Sequence, residues 1–145
     1  MHVVEITIRL ATPSDATRLS NLLAQLGYPA TEFEVLERIL YMTTPGNALI
    51  VALNEGEPCG LVAVSVFPMI HASGRMAKIT GLVVDEACRG RGIGRALLGA
   101  AEAFARGEGA MRIEVICGNH RPEAHVFYRA VGYKQTDHSR FILSW

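Results

Sequence analysis
Residues 82–95 read Leu82-Val83-Val84-Asp85-Glu86-Ala87-Cys88-Arg89-Gly90-Arg91-Gly92-Ile93-Gly94-Arg95, an apolar run that enters a turn of alternating arginines and glycines and then a helix. Glycine in such a place is destabilising unless the backbone must adopt unusual dihedrals or approach a ligand closely. A helix start presents free N–H groups and the positive end of the helix dipole, an arrangement suited to a phosphate. Arg89, Arg91 and Arg95 add charge-assisted donors for the same anion. The turn therefore implies a diphosphate-bearing ligand, the plainer alternative being a strand-to-helix turn with solvated arginines. A P-loop is excluded, because no Gly-Lys-Ser or Gly-Lys-Thr occurs in the chain. The dinucleotide fingerprint is excluded as well: it needs G-x-G-x-x-G after an early strand, whereas this segment reads G-x-G-x-G past mid-chain.

Upstream, Val4, Ile6, Ile8 and Leu10 alternate with polar positions as in a half-buried strand. Thr12-Pro13-Ser14-Asp15 predicts a capped helix start, Leu19, Leu22, Leu23 and Leu26 give that helix one apolar face, and Gly27 ends it. A second amphipathic helix is predicted from Thr31 to Met42, closed by Pro45-Gly46. Strands are predicted at Asn47–Leu53 and Cys59–Phe67 around the turn Asn54–Pro58, and at Met76–Val84 after a loop containing His71 and Gly74. Downstream come a long helix from Ile93 to Arg106, a strand at 111–117, a helix at 122–131 and, in the tail Tyr133–Trp145, a final pair of strands. No linker or repeat divides the chain, so residues 1–145 are read as one α/β (α+β) domain with a mixed sheet.

Composition sets the outer bounds. At 145 residues, half of them apolar, the chain can bury a core without staples. A net charge of zero argues against a nucleic-acid partner recruited by a basic surface. The longest apolar stretch, Leu61 to Ile70, is broken by Ser65 and Pro68 and falls short of the ~20 residues of a membrane helix. Cys59, Cys88 and Cys117 form no C-x-x-C pair and read as reduced thiols. With no signal-peptide pattern at the N-terminus, the expected compartment is the cytoplasm. His71, His120, His125 and His138 lack zinc-type spacing, and no metal is expected.

The chain resembles the GNAT acetyltransferase superfamily, whose signature R/Q-x-x-G-x-G/A is matched by Arg89, Gly92 and Gly94. A second signature, N-x-x-A-x-x-x-Y followed by x-x-x-G-Y/F, is met by Ala124, Tyr128, Gly132 and Tyr133, with Arg121 standing where asparagine usually falls. That departure is shared by a branch reading R-x-x-A-H-x-F-Y-x-x-x-G-Y, to which Leu26-Gly27-Tyr28-Pro29 and Ser139-Arg140-Phe141 are also similar. Among named activities this branch is closest to aminoalkylphosphonate N-acetyltransferases.

The resemblance implies a mostly antiparallel sheet of about six to seven strands with about four flanking helices, splayed between the fourth and fifth strands. It implies acetyl-CoA as cosubstrate, with contacts from the backbone of Leu82, Val83 and Val84, from Arg89, Gly90, Arg91, Gly92, Ile93, Gly94 and Arg95, and from Arg121, Phe127 and Tyr128. A primary amine would attack the thioester directly, a preorganised N–H would meet the charge that builds on its oxygen, and Tyr128 would be the general acid for the departing thiolate. Lys78-Ile79-Thr80-Gly81 lacks the carboxylate that many relatives carry there, so Glu114 becomes the candidate base. Tyr28 and His71 are the expected acceptor contacts, His71 being also an alternative base.

A small-molecule amine is the expected acceptor, with protein N-termini and aminoglycosides as alternatives. Glu32, Glu34 and Glu37 would suit a polycation, while Arg75 or Arg140 would suit a phosphonate. A binding module that senses acetyl-CoA without turning it over is the alternative of another class. Pairing into a homodimer, with the tail contributing, is a further implication of the resemblance.

Overall fold
The computed structural model describes residues 5–117 and 121–145. Val4, which would open the first strand, and His120, one of the histidines weighed for metal spacing, lie outside the described residues. Five strands form one sheet in the order β1 (Ile6–Leu10), β2 (Asn47–Asn54), β3 (Glu57–Pro68), β4 (Arg75–Val84) and β5 (Ala110–Val115). Neighbours are antiparallel from β1 to β4, and β5 runs parallel to β4 after the crossover helix α3 (Ile93–Gly107). The helices α1 (Ala16–Leu26), α2 (Glu32–Tyr41) and α4 (Pro122–Ala130) complete the fold.

The periodicities explain both layers. Leu19 and Leu22 of α1 and Val35 and Ile39 of α2 are buried with Val51, Leu61 and Val83 on one face of the sheet. Ile93, Leu97, Leu98, Ala101 and Ala105 of α3 cover the other face, against Ile50, Val62, Val64 and Ile79. The predicted start at Thr12 is a one-turn 3-10 helix, Pro13–Asp15, leading into α1. Asp15 accepts the Thr12 N–H at 2.8 Å and pairs with Arg9, whose guanidinium holds the Asp15 carboxyl below the usual carboxylate range. Thr31 and Glu34 form a reciprocal capping box on α2, with N–H contacts of 3.0 and 3.1 Å. All three glutamates of that helix are exposed, but Glu34 is committed to the cap, which leaves Glu32 and Glu37 without that structural task.

Three expectations need correction. The sheet has five strands among the described residues, not six to seven, and the tail beyond Tyr133 forms none. Residues 134–140 are polar throughout (Lys, Gln, Thr, Asp, His, Ser, Arg), so the segment has no apolar face to bury against the sheet. Phe141, Ile142, Leu143 and Trp145 consequently stand exposed. The fifth strand ends at Val115 rather than 117, because its pairing with β4 stops at Ile79↔Val115.

Candidate active site
The end of that pairing creates the site. β4 pairs with β3 as far as Val84, but with β5 only from Arg75 to Ile79. Ala63 faces Gly81 and Val64 faces Ile79, so Thr80 is an extra residue, a bulge placed where the two strands part. Beyond it the β5-facing edge of residues 80–84 has no strand partner among the described residues. Backbone groups left in this way take an extended ligand as a surrogate strand. Leu82, Val83 and Val84, the predicted backbone contacts, lie along that open edge.

At its far end β4 runs into the anion turn. Gly90 and Gly92 adopt φ of 81° and 78°, the left-handed region, and Gly92 is the N-cap of α3. A Cβ at either position would meet nothing within 4 Å, so both glycines border open space. Arg91 and Arg95 are exposed beside it, and the exposed Arg89 folds back so that its Nε donates to the Val84 carbonyl at 3.2 Å. The N–H groups of Ile93, Gly94 and Arg95, in the first turn of α3, have no partners within the helix. Gly94 makes a close approach of another kind. A Cβ there would lie 3.5 Å from Phe127 Cε1 and 3.7 Å from Val84 Cγ2, ordinary van der Waals contact, which is why alanine also suits this position of the signature.

Phe127 thereby brings α4 to the start of α3. Its ring meets Tyr128 edge-on, with centroids 5.2 Å apart, and Tyr128 in turn packs against Tyr133 at 5.6 Å. The Tyr133 hydroxyl donates to Glu102 of α3 at 2.9 Å, so Tyr128 is held between two aromatic rings anchored to α3. Burial, with Cys117 close by, pushes the Tyr128 phenol up to about 12. Burial also raises the Cys117 thiol.

Glu114 is the register partner of Lys78, one position before the fork. Ala77 and Ile79 are buried in the α3-side core and Ile113 and Val115 pack against it, so Glu114 and Lys78 face the α1–α2 side of the sheet. Tyr28 follows Gly27 in the α1–α2 loop and is exposed. Arg121 does not point along the anion turn: its Nη2 donates to the Leu26 carbonyl at 2.7 Å, tying the N-cap of α4 to the last turn of α1. His71 is exposed in the β3–β4 loop, at the end of β4 opposite the anion turn, and the structure does not bring the two together. Arg75 lies 4.0 Å from Glu108 at that same end.

Sequence reading did not identify the Thr80 bulge, the Lys78 neighbour of Glu114, the Tyr133–Glu102 bond or the Arg121–Leu26 link. All four depend on register or on contacts distant in sequence, and only the G-Y pair at Gly132-Tyr133 carried a signal.

An open strand edge, a glycine–arginine helix start and a half-buried tyrosine now stand where β4, α3 and α4 meet. A model of the acetyltransferase (GNAT) family matches residues 16–133. The chain belongs to the GNAT acetyltransferase family. The aminoalkylphosphonate N-acetyltransferase of Salmonella typhimurium is 31% identical over 136 residues, covering 92% of this chain and 88% of that protein. The aminoglycoside N(6')-acetyltransferase type 1 of Stenotrophomonas maltophilia is 28% identical over 136 residues, covering 90% and 88%. Among solved structures, an aminoglycoside N-acetyltransferase in complex with CoA superposes with a TM-score of 0.86 at 16% identity, covering 99% of this chain and 97% of that one, a likeness of fold.

This GNAT chain is an N-acetyltransferase, and its acetyl donor is acetyl-CoA. The anion turn fits that donor. Open space borders the backbone at Gly90 and Gly92, room enough for a diphosphate to approach, at a helix start whose N–H groups are free and whose Arg91 and Arg95 are exposed. Among the described residues no helix is long and apolar enough to cross a membrane.

Proposed function
We propose that this acetyltransferase acts on a primary amine of a small molecule, by direct attack in a ternary complex. The fork at Ile79↔Val115 carries the reading, because it lets a donor laid along Leu82–Val84 from the α3 side meet an acceptor coming from the α1–α2 side. Acetyl-CoA supplies the acetyl group and a thiolate leaving group. Backbone N–H groups on the open edge beside Thr80 are suited to receive the charge on the thioester oxygen. Tyr128 donates a hydrogen bond to the departing sulfur; its raised pKa keeps it protonated throughout the working range. Burial raises the Cys117 thiol and pushes Cys59 up to about 11, which makes both poorer nucleophiles for an acyl-enzyme and favours direct attack.

Glu114 is the proposed base, turned to the acceptor side beside Lys78, with Tyr28 framing the acceptor mouth. Lys78 at the fork favours a small anionic amine over a polycationic aminoglycoside, and takes the role of cationic contact from Arg75, which pairs with Glu108 away from the fork. Release of CoA thiol across aminoalkylphosphonates, polyamines, amino acids, aminoglycosides and N-terminal peptides tests this directly. Saturable release with one small amine is the expected result, and Glu114→Gln should lower kcat about a hundredfold while His71→Ala leaves it unchanged. Turnover confined to peptides or aminoglycosides, or an unaltered kcat in Glu114→Gln, would overturn the respective assignment.

The working site is read as cytoplasmic, in keeping with three free cysteines. A second copy is the proposed partner of the open outer edge of β5 and of the exposed Phe141, Ile142, Leu143 and Trp145. Light scattering should then give twice the 15.8 kDa of one chain; a monomer at micromolar concentration would rule the pairing out.

A further inference from the structure
At the junction of β4 and the anion turn a carboxylate is buried: Asp85 is 8% exposed. Burial of an ionised carboxylate is costly unless donors surround it, and here they do. One oxygen accepts the Ala87 N–H at 3.1 Å and the Gln25 side-chain amide at 3.4 Å; the other receives the Arg18 guanidinium. The Ala87 N–H does most to hold the Asp85 carboxyl below the usual carboxylate range, with Arg18 and Gln25 adding to it against the opposing effect of burial. Gln25 is used twice, since its carbonyl oxygen accepts the Glu86 N–H at 3.0 Å. Arg18 is used twice as well, donating through Nε to the Pro58 carbonyl at 2.9 Å. Arg18 and Gln25 lie two helical turns apart on α1 and so share a face.

We propose that Arg18, Gln25 and Asp85 are positioning residues for the acetyl-CoA diphosphate turn, gripping it from the α1 side of the sheet. Three consecutive residues, 85 to 87, are held by this network immediately before the turn that carries Gly90 and Gly92. Two left-handed glycines make the turn flexible in isolation, and a flexible anion site loses affinity to the entropy of ordering. Fixing its first residues from outside presets the direction in which the α3 N–H groups open. None of the three side chains needs to touch the ligand. The proposal rests on acetyl-CoA binding by the family fold and is independent of which amine is acetylated.

The test compares a ligand that carries the diphosphate with one that lacks it. CoA binding is measured by calorimetry, and pantetheine binding by NMR titration, on wild type, Arg18→Met and Gln25→Leu. Loss of a partner from a buried carboxylate should weaken CoA binding about tenfold in Arg18→Met and about threefold in Gln25→Leu, with pantetheine unchanged in both. Amide exchange at Gly90–Gly92 should speed up while exchange in β2 and β3 does not. Equal loss for both ligands would mean general loosening and would overturn the proposal, as would unchanged CoA affinity. Should Arg18→Met fail to fold, Gln25→Leu decides alone, since it removes no charge. Wild-type protein that binds no CoA would instead remove the donor assignment on which the proposal rests.

Discussion

Tyr128→Phe is expected to lower kcat by about a hundredfold or more while leaving the KM for acetyl-CoA within about twofold. The asymmetry follows from what the ring and the hydroxyl each do. The ring packs edge-on against Phe127 at 5.2 Å and tilted against Tyr133 at 5.6 Å, contacts that phenylalanine keeps. Only the hydroxyl is lost, and with it the donor for the departing sulfur. Steady-state kinetics with saturating amine reads the split. Equal kcat in the two proteins would remove Tyr128 from the mechanism, and a KM that rises in step with the fall in kcat would make it a packing residue.

The pH dependence sharpens the same prediction. Burial raises the Tyr128 phenol to about 12, and the protonated phenol is the form that donates. Raising the pKa therefore extends the active form upwards, so Tyr128 contributes no descending limb in the usual assay range. A descending limb between about pH 8 and 10 has another origin and should survive in Tyr128→Phe at reduced amplitude. Stability follows the same sign. The fold favours the neutral phenol, so its contribution is complete below the unfolded value of about 10 and is lost as pH climbs towards the folded one.

The parts of the molecule legible in the sequence are those whose cause is local. Glycine and arginine alternation at a helix start marks the anion turn without any knowledge of its neighbours, and leucine spacing gives α1 its buried face. Strand existence is different, because it needs a partner. The tail Tyr133–Trp145 reads as a pair of strands, yet the polar run 134–140 gives it no face to bury and it joins no sheet. The fork depends on register, so neither the Thr80 bulge nor the last pair, Ile79↔Val115, could be located from residue types. Arg121 had a family position but no visible partner, since Leu26 is 95 residues away in sequence. Arg18 finds its partner, Asp85, 67 residues on. Long-range polar links of this kind have no periodicity to betray them.

Gly92→Val should weaken CoA binding about thirtyfold, on the order of 2 kcal/mol. Gly92 holds φ at 78° as the N-cap of α3, a conformation that is strained for a β-branched residue. Relief would come from rotation of the turn out of the left-handed region, and that rotation turns the N–H groups of Ile93 and Gly94 away from the diphosphate. A valine that held the original conformation fares no better, because its side chain fills the open space beside the turn. Both routes reach the same loss by different means, so the affinity falls whichever the chain takes. Gly99→Ala is the control. Gly99 lies within α3, is exposed and would place its Cβ in open space, so alanine should raise stability by up to about 1 kcal/mol and leave CoA binding alone. Calorimetry on both variants separates the backbone of the turn from the helix behind it. CoA affinity in Gly92→Val within threefold of wild type would show that the left-handed turn is not the anion cradle, and the diphosphate would then have to be held by the arginine side chains alone.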